Sequence, residues 1–207
     1  VLEGQELGLL HGLPVGVKDL EITKGLRTSF GSKLFADNIP AHDQSSVAAL
    51  RREGAIIIGK TNTPEFGAGG NTRNLLFGAT SNPFDISKTS GGSSGGAAAG
   101  LATGMMALAT GSDYGGSVRT PSGFCGVAGF RPSPGTIPAE DKPVSLSPFS
   151  VLGPMARNIG DIDLLLRAQL GADRRDPFSV AVDYDLECVS PLYVYNFHTC
   201  KIFLALA

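Results

Sequence analysis

Two glycine–serine clusters constrain this chain more than any other feature. Gly91-Gly92-Ser93-Ser94-Gly95-Gly96 and Gly111-Ser112-Asp113-Tyr114-Gly115-Gly116-Ser117 both lie between Gly67 and Gly129, where the 28 glycines of the chain concentrate. Glycine lets backbone come close to a ligand. Two adjacent glycines ahead of a serine can aim successive N–H groups at one point, a concavity that binds an anion. If Ser117 attacks a carbonyl, the N–H groups of Tyr114, Gly115, Gly116 and Ser117 are candidates for the oxyanion hole.

A serine nucleophile needs a base within hydrogen-bond reach. The chain holds only three histidines, His11, His42 and His198. A desolvated lysine can serve instead, because burial disfavours its charged form. Lys18 ends the apolar, β-branched run that starts at Leu13, which is such an environment. Ser93 can bridge Lys18 and Ser117 as a relay. Lys18 is expected to work as a neutral amine; an Asp19 carboxylate turned towards it would hold its charge instead.

Two simpler motifs mislead. Residues 54–61 (GAIIIGKT) fit the P-loop pattern letter by letter, but the variable positions are strand-forming and Thr61 is followed by Asn-Thr-Pro, not by a helix. Gly91-x-Ser93-x-Gly95 and Gly92-x-Ser94-x-Gly96 fit a nucleophile elbow, which needs an acid and then a histidine downstream. The only downstream histidine is His198, in an unpatterned tail. No His/Cys/carboxylate cluster has metal spacing.

Apolar periodicity and punctuation predict α/β order. A buried strand covers 13–18. A helix covers 43–53, capped by Asp43 and stopped by Gly54. A second buried strand covers 55–59, and a long, irregular but ordered stretch covers 61–92. A helix at 94–103 ends at Gly104, and a strand covers 105–110. The glycine turn at 111–117 leads into a short helix near Pro121. A strand is expected at 127–130, and an amphipathic helix at 161–170 opens at Asp161 or Gly160 and ends at Gly171. From about Asp176 the pattern decays, which reads equally as a buried strand pair or as a chain end foreign to the fold. The division is thus 1–175 as an incomplete catalytic core and 176–207 as a tail.

With the set assembled, the chain resembles the amidase signature family. The resemblance rests on LPVGVKD at 13–19, GKTNTPEFG at 59–67, GGSSGGAAA at 91–99, GSDYGGSVRTPSGFCGVAGFRPS at 111–133 and GPMAR at 153–157. The wording EFGAGGNTRN and VAGFRPSPG is similar to bacterial general amidases. The resemblance implies Lys18 as base, Ser93 on a cis peptide as relay, and Ser117 as the acylated residue. It implies a mixed twisted β-sheet covered by helices and no cofactor. The implied reaction takes a small carboxamide to a carboxylic acid and ammonia through an acyl-enzyme. Tyr114 and Ser90 depart from the family's usual residues. The chain is also shorter than family members and opens without Met, so it reads as truncated.

Ser94 reads as a support for the helix start, and Ser112 and Asp113 as turn-stabilising. Arg119 reads as the partner of a buried carboxylate rather than a substrate anchor, and Cys125 as a packing residue. The formal net charge of −2, with no basic stripe, speaks against a nucleic-acid partner. No apolar run is long enough to cross a membrane, and no signal peptide is evident. Three scattered cysteines fit a reducing cytoplasmic setting. Two further functions compete with a broad amidase. One is a glutaminase from the amidotransferase branch of the same family, which passes ammonia to a partner protein to correct mischarged tRNA. The other is an inactive amidase fragment.

Overall fold

The computed structural model describes residues 6–142, 146–179 and 181. Its main strands are β1 (Pro14–Lys18), β2 (Ile56–Thr61), β5 (Leu108–Asp113), β6 (Ala128–Gly129) and β7 (Val151–Ala156). These five form one sheet in the order β2-β1-β5-β7-β6. β1 runs parallel to both β2 and β5, while β7 runs antiparallel to both β5 and β6. The sheet is therefore mixed, as expected. A separate hairpin, β3 (Arg73–Asn74) with β4 (Gly78–Ala79), forms within the irregular stretch after β2.

Alternation along the strands divides the core into two layers. Val15, Val17 and Leu108 share one buried cluster with Val47 and Leu50 of α1 (Ser45–Arg52). Ile162, Leu165 and Leu166 of α4 (Ile159–Gln169) complete it. On the other face Ala109 and Met155 pack against Ala97, Ala98 and Leu101 of α2 (Gly95–Ala102), and Val118 and Cys125 join them from around α3 (Arg119–Cys125). Each such large aliphatic side chain contributes roughly 1.5–3 kcal/mol on burial. α2 opens with glycine because backbone and hydroxyls crowd it. A Cβ on Gly96 would lie 2.3 Å from Asn62 N, and one on Gly95 would lie 2.4 Å from both Ser90 Oγ and Thr72 Oγ1.

Several expectations need correction. β2 is not buried: among the described residues it pairs only with β1, and Ile56 and Ile58 are about half exposed. Asp43 does not cap α1. Its carboxylate accepts from Lys24 N and Arg51 Nε, while the Ser45 N–H at the helix start is taken by Glu140 Oε1 at 2.7 Å. β5 begins three residues later than predicted, because 105–107 belong to the turn closed by Met105 N to Gly100 O, and it runs through Gly111 and Ser112. α4 starts at Ile159, capped by the Asn158 side chain, which accepts from Asp161 N at 2.9 Å. The fully buried β7 escapes the sequence pattern, since Gly153-Pro154 reads as a strand breaker. The tail beyond residue 181 lies outside the described residues.

Candidate active site

β1 delivers Lys18 as its last residue, fully buried. Its Nζ donates to Ser93 Oγ at 2.7 Å, Ser94 Oγ at 2.8 Å and Ser112 Oγ at 2.9 Å, with the Ser112 carbonyl at 3.4 Å. Among the described residues no carboxylate lies within ion-pair distance of it. Burial lowers its pKa to about 7, against the opposing charges of Glu21 and Asp113. A neutral amine has two protons and one lone pair, so one of the three hydroxyls must donate to it.

Asp19, next in the chain, turns away. Its carboxylate accepts from the Ser29 N–H at 3.2 Å and from the Ser29 hydroxyl. The charge that threatened a neutral Lys18 is thus directed elsewhere.

The two glycine clusters meet at Lys18. The Gly92–Ser93 peptide is cis. Ser94 N donates to the Ser117 carbonyl at 3.1 Å, joining the clusters directly. Ser93 and Ser117 both line a cavity of about 670 Å³, whose walls include Leu20, Phe30, Phe66 and Leu152. The Ser117 hydroxyl makes no hydrogen bond among the described residues.

Asp113 shapes the turn before Ser117. It accepts from Gly116 N at 2.8 Å and Val118 N at 3.1 Å, and is gripped by Arg119 through Nε at 3.0 Å and Nη2 at 2.9 Å. Burial pushes this carboxyl up, but the Arg119 and backbone hydrogen bonds outweigh it and hold it below the usual carboxylate range. The structural readings of Asp113 and Arg119 match this geometry. The expectation for Gly116 changes: its N–H is committed to Asp113, because Gly116 sits at φ +125° with its amide turned to that carboxylate. The N–H groups of Tyr114, Gly115 and Ser117 donate to no partner among the described residues.

Several residues around the site are tied into the fold. Asn62 ties Asn74 and Thr80 together, and Glu65 accepts from Ser32. Ser90 is buried and donates to Thr80 O at 2.9 Å, which anchors the turn before the cis peptide. Cys125 is buried, and desolvation pushes its thiol up to about 11. Tyr114 stands at the cavity edge, its ring 5.8 Å from that of Phe149. Sequence reasoning missed the contacts of Ser94 and Ser112 with Lys18. The β1–β5 pairing brings Ser112 to Lys18, and no local pattern records it.

Among the described residues no cluster of His, Cys, Asp and Glu could hold a metal ion, and no helix is long and apolar enough to cross a membrane.

The family model described as Amidase matches residues 2–193. The chain is 45% identical over 177 residues to a component of the glutamyl-tRNA(Gln) amidotransferase of Alkaliphilus metalliredigens, covering 86% of this chain and 36% of the relative. It is equally 45% identical over 177 residues to an acylamidase of Rhodococcus erythropolis, covering 86% of this chain and 37% of that protein. Among solved structures, a bacterial aryl acylamidase of the amidase signature enzymes superposes with a TM-score of 0.82 at 35% identity, over 88% of this chain and 39% of the other. A peptide amidase from Stenotrophomonas maltophilia superposes with a TM-score of 0.77 at 32% identity, over 84% and 37%. The chain thus spans little more than a third of the length of these relatives. With a family match over nearly its whole length and the same fold in solved members, the chain belongs to the amidase signature family.

Proposed function

We propose that this chain carries the catalytic centre of an amidase that hydrolyses a small carboxamide to a carboxylic acid and ammonia or an amine. The observation that carries the proposal is the buried Lys18 amine held by serine hydroxyls, one of which, Ser93, shares a cavity with Ser117. Ser117 Oγ attacks the carbonyl carbon while its proton passes through the Ser93 hydroxyl to Lys18. The N–H groups of Tyr114, Gly115 and Ser117 receive the oxyanion, a contribution of about 2.7–4 kcal/mol per donor. The tetrahedral centre then collapses, the carbon–nitrogen bond breaks, and the leaving nitrogen takes a proton back from Lys18 through Ser93. Water repeats the sequence on the acyl ester, releasing the acid. The protein's own groups supply every proton transfer.

Apolar walls at Leu20, Phe30, Phe66 and Leu152 favour an apolar acyl group. The second reading, a glutaminase working with partner proteins, is favoured by the equal identity to the amidotransferase component. Glutamine hydrolysis stimulated by such partners, with no turnover of apolar amides, would select it. We place the protein in the cytoplasm, on its scattered cysteines.

A fluorophosphonate probe is expected to label the protein on Ser117, located by mass spectrometry, and Ser117→Ala should abolish labelling. An adduct on Ser93 would reverse the assignment, and no adduct at all would favour an inactive fragment.

A further inference from the structure

A buried carboxyl that takes no part in these steps lies on the loop that follows Lys18. Glu21 is 1% exposed and borders the same cavity. Its Oε1 accepts from the Thr110 hydroxyl and its Oε2 from the Ser46 hydroxyl at 2.9 Å. Each of these hydroxyls is itself an acceptor: Thr110 Oγ1 takes the Lys18 backbone N–H at 3.0 Å, and Ser46 Oγ takes Gln44 Nε2 at 3.1 Å. A hydroxyl has one proton to give. Both hydroxyls spend theirs on Glu21, so both carboxyl oxygens act as acceptors. That arrangement belongs to the ionised form, which burial opposes by raising the Glu21 pKa; a protonated Glu21 would turn one hydroxyl round.

Two lysines act on this carboxyl electrostatically, Lys60 from β2 and Lys18 from the end of β1. From β5 come the Thr110 hydroxyl and Asp113, which also acts on Lys18. From α1 comes the Ser46 hydroxyl. The nearby Asp19 carboxylate is occupied by Ser29 and lies 4.0 Å from Lys60. Glu21 is the first of the charges that oppose desolvation at Lys18, and burial in turn raises Glu21 itself against Thr110, Ser46 and the two lysines.

We propose that Glu21 is a positioning residue for Lys18: clamped between Thr110 and Ser46, it fixes the end of β1 through the Thr110 hydroxyl that takes the Lys18 N–H, and supplies a counter-charge to the buried amine. This rests on Lys18 being the base of the proposed amidase. It adds a device to that base, because a fixed carboxylate one hydroxyl away from its backbone, ahead of Asp113, opposes desolvation and favours the protonated amine.

The test is an NMR titration of protein carrying carbon-13 lysine and glutamate, with the Lys18 signal assigned by its loss in Lys18→Met. In Glu21→Gln the Lys18 midpoint should fall by about one pH unit, since an opposite charge favours the charged form. Glu21→Asp, which keeps the charge, should hold it near the wild-type value. A midpoint in Glu21→Gln that stays put or rises overturns the proposal, as does a Glu21→Asp midpoint that falls as far. The wild type supplies a further check that does not depend on a Glu21 variant. Glu21 must be ionised where Lys18 titrates, and a neutral carboxyl there also overturns the proposal. The rising limb of fluorophosphonate labelling against pH should shift with the midpoint. A wild type that labels nowhere would remove the amidase reading alone, and the NMR midpoints would still decide the role of Glu21.

Discussion

Lys18 and Lys60 sit on neighbouring strands, and both are largely buried. The register pairs Val17 with Lys60 and Lys18 with Thr61, so the two amines leave the sheet on opposite faces. Desolvation lowers both, Lys18 to about 7 and Lys60 to about 8. Their partners differ. Lys60 Nζ donates to the Glu21 carbonyl, to Thr23 Oγ1 at 2.8 Å and to Thr28 Oγ1 at 3.2 Å, and lies 4.0 Å from Asp19. It stitches the loop after β1 to β2. Lys18 meets three serine hydroxyls, groups that can give a proton as well as take one. Burial alone therefore does not mark a base. What sets the proposed base apart is a shell that can pass protons and opens onto a cavity.

The largest effect that could break this contrast is on turnover. Lys18→Arg should lower amide hydrolysis or probe labelling by about 10²–10⁴-fold, the usual contribution of a general base, because arginine stays protonated. Circular dichroism should remain native. A Lys18→Arg protein that kept most of its activity would make Lys18 only a positive charge. Next in size is stability. Lys60→Met removes the donor that Glu21 O, Thr23 and Thr28 share, and should lower the unfolding free energy in urea by about 2–4 kcal/mol. A loss below about 0.5 kcal/mol, the scale of ordinary surface changes, would end its role as a clamp.

Much of this contrast is legible in the chain and some is not. The glycine clusters, the Lys18 strand and the rejection of a P-loop at 54–61 follow from local pattern. Lys60 lies inside β2, where no helix N-terminus can follow. Long-range pairing is hidden. β7 carries Pro154, which argues locally against a central strand, yet its carbonyl accepts from Phe130 N and the strand is buried throughout. Ser112 and Thr110 look like turn and strand residues, because only the β1–β5 pairing brings them to Lys18. Glu21 gives no signal beyond being a carboxylate near a lysine. Its partners come from positions far along the chain, and no local period records them. A two-glycine turn offers every N–H alike to an oxyanion, the Gly116 amide included. Asp113 breaks that equivalence.

The smallest effect separates the two lysines by pH. An unfolded lysine holds its proton up to 10.5, while Lys18 in the fold gives it up at about 7. Between those values the unfolded chain binds the extra proton, so the unfolding free energy rises with pH, by up to about 1.4 kcal/mol per unit for each such group. Below the folded value the penalty of the buried amine is present in full; it is relieved as pH climbs towards the unfolded value. Lys60 adds a similar rise starting from about 8. From pH 7 to 8 the gain thus belongs chiefly to Lys18. Urea denaturation at closely spaced pH values should show the wild type and Lys60→Met gaining stability over that unit. Lys18→Met should lack about 1 kcal/mol of the gain. Equal slopes in wild type and Lys18→Met would mean that the folded protein keeps Lys18 charged at neutral pH. A charged Lys18 could not take the Ser117 proton, and the distinction between base and clamp would have to rest on something other than protonation.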